Sequence, residues 1–179
     1  MKRIFSEHMS ELYRLALVLT GDRERSIQAF TGALNSDDDP PAFQKFMLSW
    51  AKRLVIVAAL GTMRRQIRES MLQTRMIVRD GGISGPAHAE PVDLERLTGR
   101  ELEEALLALD TFPRCVVVLM LLERLPIEEV TVLLAADKRT VKMAQAQGIA
   151  ELAWRLGGIA PREPKVFGEF PRKAFAARQ

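Results

Sequence analysis

The sequence predicts an all-α protein built from two small helical units. Three observations carry this. Apolar residues recur every three or four positions along most of the 179-residue chain. The composition is rich in Leu, Ala, Met, Glu and Arg and holds only 6% aromatics; unbranched side chains lose little rotamer freedom in a helix, so this balance favours helix over strand. One stretch dense in glycine and proline, residues 80–91, interrupts the periodicity near the middle of the chain. With 47% hydrophobic and 27% charged residues, the chain can bury real cores and does not have the composition of a disordered protein.

In the first unit, residues 1–79, Leu12, Leu15, Ala16 and Leu19 lie at helical spacing within 7–20, and Gly21-Asp22 closes that helix. A second helix follows over about 23–34, stopped by Asn35-Ser-Asp-Asp-Asp-Pro-Pro41. Residues 42–78 read as one long helix or two abutting ones, with Gly61 as the joint and Arg64, Arg65, Arg68 and Arg75 on the later part. Residues 80–98 are expected to be a flexible linker. The second unit, 99–158, reads as four helices: one with Leu102, Leu106 and Leu109; a break at Phe112-Pro113 and then a densely apolar helix over 114–124; one opening at Pro126 with Glu128 and Glu129 against the positive end of its dipole; and a last one from Lys138 to about Leu156, capped by Asp137 and ended by Gly157-Gly158. A basic tail, 159–179, carries three prolines and Phe167, Phe170 and Phe175. It is expected to dock on a folded unit or on a partner.

Charge and chemistry narrow the function. The net charge of +3 permits contact with nucleic acid without demanding it. The single cysteine, Cys115, excludes an internal disulfide and sits in an apolar run, where a small buried hydrophobe is expected rather than a nucleophile. His8 and His88 have no neighbours at metal-ligand spacing, so no metal and no cofactor is expected. No nucleophile–base pairing or glycine-rich phosphate loop is visible, and an enzyme is not expected. The start Met-Lys-Arg-Ile-Phe, with Glu7 and Glu11 soon after, lacks a signal-peptide pattern, and charge interrupts every apolar run before spanning length; a cytoplasmic protein is expected.

A short helix, a tight turn at Ala135-Ala136 and a capped helix with basic residues in its first turn make the helix-turn-helix plan. In that plan the first helix braces the backbone while the start of the second enters the major groove. Lys138, Arg139, Thr140 and Lys142 are then the residues offered to phosphates and base edges. A helical hairpin with a solvated basic start has the same spacing.

These residues also resemble a known family. Leu102-x-x-Ala-Leu-x-x-Leu109, Arg114-x-Val-x-x-Leu-x-Leu-x-Glu123, Glu129-Val-x-x-Leu-Leu134 and Arg139-Thr-Val-Lys142 are similar to the carboxyl-terminal domain of extracytoplasmic-function (group IV) RNA polymerase sigma factors. Leu12-Tyr-Arg-Leu-Ala-Leu-x-Leu-Thr-Gly-Asp22 and Phe43-x-x-Phe-Met-x-x-Trp-Ala-Lys52 resemble its amino-terminal domain. The resemblance implies binding to core RNA polymerase and promoter DNA, with an anti-sigma protein as a further partner, and it sets Lys52, Arg53, Arg64 and Arg65 near the promoter-melting surface. A solvated helix face accounts for the same four cations.

The chain also departs from the family. Ile27, Gln28 and Thr31 stand where the family has an acidic pair and a glutamine that dock on polymerase, and Ala144, Gln147 and Ile149 stand where its last helix has arginines. Each lost cation weakens phosphate binding. Two function classes follow: a divergent sigma factor, or a sigma-fold protein that has given up promoters and works through protein contacts. A plain helix-turn-helix repressor ranks below both, because it leaves the first unit without a task.

Overall fold

The computed structural model describes residues 2–36, 46–79 and 98–157. Among them the protein is all-α, with no strand. α1 (Lys2–Glu7) and α2 (Met9–Thr20) meet at His8. The periodicity reads only the second of these; the first earns its place by burying Phe5 edge-on against Phe30, ring centroids 5.6 Å apart. α2 buries Leu12, Leu15, Ala16 and Leu19 and stops at Gly21, whose φ of +67° is the left-handed cap that the sequence implies. In α3 (Arg23–Leu34) the Asp22 carboxylate accepts from the Arg25 amide, supplying the amino-terminal cap.

α4 (Met47–Thr62) and α5 (Arg64–Arg79) abut at Met63, not at Gly61 as expected. Gly61 is exposed inside α4, with nothing near the place a side chain would fill. Met63 is fully buried, so the bend is held by packing rather than by a permissive backbone.

α6 (Gly99–Leu107) opens on a reciprocal capping box between Thr98 and Glu101. α7 (Thr111–Val117) begins before the expected break: Phe112-Pro113 lies within its first turn, where a missing proline N–H costs nothing. α7 then widens into a π-helical segment, Val118–Leu122, in which the Glu123 amide donates to Val118 O at 3.0 Å. α8 (Ile127–Leu134) and α9 (Lys138–Gly157) complete the described chain. α9 crosses α7 at Gly148, where a β-carbon would sit 2.6 Å from Val117 Cγ2.

Of the expected linker, residues 80–98, all but Thr98 lies outside the described residues, and Thr98 is the cap of α6. The two helical units on either side of it are not held apart in the structure: Leu12, Leu19 and Val55 of the first share one continuous apolar core with Phe112, Val116 and Leu119 of the second. Polar groups lock the seam. The Arg114 guanidinium, 6% exposed, donates to Thr20 O (3.2 Å), Leu107 O (3.1 Å) and Leu109 O (3.3 Å). These carbonyls end α2 and α6, where the helix dipoles are negative and carbonyls lack helical partners. Ser70 Oγ of α5 accepts from the Phe112 amide (2.8 Å) and bonds Asp110, so α5 caps α7 from outside; Asp110 makes no cap bond of its own.

Candidate nucleic-acid interface

The short helix, turn and capped helix that the plan requires are all present. α8 ends at Ala135 in left-handed conformation (φ 48°, ψ 44°), and its amide returns to Thr131 O. The Asp137 carboxylate then caps α9 by accepting from the Thr140 amide at 2.8 Å. Bonds from the Thr140 amide and hydroxyl, and then from Arg75, hold Asp137 down at about 2, well below the usual carboxylate range.

Lys138, Arg139 and Lys142 all point outward from the first turns of α9. Cations there flank a helix amino terminus, whose own partial positive charge adds to their attraction for phosphate. Lys138 is partly spoken for: its Nζ lies 3.0 Å from Glu128 of α8 and holds that carboxylate below its ordinary pKa. Thr140 corrects the sequence reading. It is 6% exposed and its hydroxyl is spent on Asp137 and Arg75, so it is a structural residue rather than one offered to bases. Its spacing beside Arg139 gave no warning, because the burying element is α5, far away in sequence.

The same geometry revises two of the departures. Ala144 is fully buried and Gln147 is half-buried with a shielded Oε1, so both belong to the packed face of α9. Of the three positions expected to carry arginine, only Ile149 sits on the exposed face.

α5 lies against this turn. Arg75 Nη2 bonds Asp137 (2.8 Å) and its Nε bonds Thr140 Oγ1 (3.2 Å), and beside it Leu72 and Met76 are exposed. This bracing arginine is the residue that sequence reasoning missed; it was visible only as one of a row of basic residues.

The four cations expected near a melting surface divide into two pairs. Lys52 bridges Glu11 (2.8 Å) and Glu123 (3.4 Å); burial pulls its pKa down, but the two carboxylates outweigh that and leave it raised. Arg53 pairs with Glu129 of α8. Both are thus committed to holding α4 against the second unit. Arg64 and Arg65 are exposed on α5; Arg65 pairs with Glu69 one turn on, a contact that water screens.

Cys115 is fully buried and its thiol is pushed up to about 12 by that burial, in line with its expected role as a core hydrophobe. Among the described residues no group of three His, Cys, Asp or Glu could hold a metal ion, and no helix is long and apolar enough to cross a membrane. No family model, no curated protein and no solved structure matches this chain.

Proposed function

We propose that this is a cytoplasmic transcription-control protein of sigma-factor type that engages duplex DNA through the first turns of α9 and has core RNA polymerase as its partner. The observation that carries the proposal is the outward group Lys138, Arg139 and Lys142 on a capped helix that follows a bracing helix and a left-handed turn. This is the arrangement that presents a helix start to a major groove. Arg64 and Arg65 add a second exposed cationic patch suited to strand backbone. Binding of a promoter-sized duplex pool, followed by fluorescence anisotropy from low to moderate salt, tests the DNA contact. Affinity that falls steeply with salt in the parent, and less steeply in Arg139→Ala/Lys142→Ala, is the expected result. Equal affinity and slope for both proteins removes the proposal.

One observation favours the protein-contact class. Residues 158–179 hold five of the 26 Lys and Arg and two of the 23 Asp and Glu, so the entire +3 excess lies there and residues 1–157 balance. A stretch of chain with no net charge has no overall electrostatic pull towards nucleic acid, which suits a regulator that meets proteins. A pull-down with core polymerase separates the classes: retention at moderate salt supports initiation, and its absence supports the regulator.

A further inference from the structure

We propose that the tail, residues 158–179, folds back across α6 and seats Phe167 and Phe170 in the groove between α2 and α6. The exit point comes first. Arg155 Nη2 donates to Ala108 O at 3.3 Å, which fixes the end of α9 beside the end of α6. The chain therefore leaves Gly157 next to α6. A nine-residue helix is only about 13 Å long, whereas the ten residues from Gly157 to Phe167 reach up to about 33 Å.

Charge makes the path favourable. α6 carries Glu101, Glu103 and Glu104 against Arg100 alone, while the tail is net +3. Glu103 is paired with Arg14 and Glu104 with Arg100, but Glu101 is held by the neutral groups of Thr98, which lower its pKa and leave its charge without a cation among these contacts. Glu101 and Glu104 line the shallow depression beside Arg155 and Leu156, directly where the tail departs. Arg162 and Lys165 are the first cations in the sequence after Gly157.

The groove beyond is apolar and wide enough. It measures about 380 Å³, with Val18, Leu102, Leu106 and Leu122 as its apolar lining and Arg14 and Glu103 at its edge. A cavity of roughly 150 Å³ holds one benzene ring, so two phenylalanines fit. Leu122 is 46% exposed there, at the end of the π-helical segment, and a ring laid over it would remove that surface from water. A larger groove between α4 and α8, about 570 Å³, is the competing seat. Its carboxylates, Glu123 and Glu129, are already matched by Lys52 and Arg53. It also adjoins α8, which leads into the opposite end of α9, about 30 Å of helix away from Gly157.

The seat joins α2 of the first unit to α6 of the second, so a docked tail would be a clasp across the seam. The test uses the full chain with Ala174→Cys carrying a nitroxide; Cys115, buried with its thiol pushed up to about 12, does not compete for the label. Docking predicts broadened amide resonances at Val18, Leu102 and Leu106, restored when Phe167→Ser/Phe170→Ser is added in the tail. Three results overturn it: broadening centred on Leu48, Trp50 and Leu133, which seats the tail in the other groove; broadening that vanishes on dilution with unlabelled chain, which makes the occupant a second copy; and no local broadening, which leaves the tail undocked.

Discussion

Arg114 in the seam and Arg139 on the first turn of α9 are the same side chain in opposite circumstances. Arg114 is buried, with burial lowering its pKa, and it is anchored by three main-chain carbonyls from two helix ends. Arg139 faces water with its guanidinium on the outer side of α9. The difference teaches what each is for. A buried guanidinium can only be kept if the acceptors around it are shaped for it, and then its removal strands those acceptors. An exposed one costs the fold little and keeps its donors for something outside.

The comparison breaks first at the seam. Arg114→Met should destabilise the protein by on the order of 3 kcal/mol, because carbonyls that it satisfies lose their donor in the interior. Urea unfolding at fixed temperature checks this; a change within about 0.5 kcal/mol, the range of ordinary surface substitutions, would show that Arg114 does not clamp the units. Gly21→Ala sharpens the result. A β-carbon there would lie 2.6 Å from Arg114 Nη2, on a backbone of φ +67°. It should cost about 2 kcal/mol in the parent, yet only about 1 kcal/mol, the left-handed penalty alone, in an Arg114→Met background. Additive losses would mean that the glycine and the arginine do not meet.

Ser70→Ala comes next. Its hydroxyl is the acceptor for the Phe112 amide, and α7 has no other cap, so about 1 kcal/mol of stability should be lost. Ser70→Thr, which keeps the hydroxyl, should recover most of it. Equal loss in both variants would assign the effect to packing.

How much of this was legible in the sequence differs between the two regions. The helices themselves were, because Leu12, Leu15, Leu19 and Leu102, Leu106 mark their faces directly, and the turn at Ala135 with Asp137 as cap read correctly. The capping box is written plainly as Thr98-Gly-Arg-Glu101, but it straddles the expected boundary between linker and second unit, with Thr98 on one side and Glu101 on the other. The seam was not legible at all. Ser70, Arg75 and Arg114 act on partners 42, 65 and 94 positions away, and no local pattern encodes such pairings. For the same reason Thr140 and Ala144 looked like surface positions: periodicity says which residues share a face, and only the partner helix says whether that face is covered.

At the exposed end the effects are on binding. If Arg139 and Lys142 each neutralise one phosphate, removing both should reduce the slope of log affinity against log salt by about 1.8. Stability should stay within about 0.5 kcal/mol of the parent. Loss of both binding and fold would place these residues in the seam's class and erase the contrast.

The smallest effect joins the two regions, since Asp137 caps the exposed helix while Arg75 grips it from α5. Its folded pKa, about 2 against an ordinary 3.8, is depressed, so the stability it supplies is fully present above about pH 4 and lost as pH falls through 2. Thermal midpoints measured from pH 5 to pH 2 should therefore fall less steeply in Asp137→Asn, whose amide oxygen still accepts from Thr140 but no longer titrates. Because the Thr140 bonds depress this carboxylate more than Arg75 does, Arg75→Gln should keep most of the parent's acid slope. A slope abolished by Arg75→Gln would reverse that order. The start of α9 would then depend on α5 more than on its own cap, and the exposed region would be an extension of the seam.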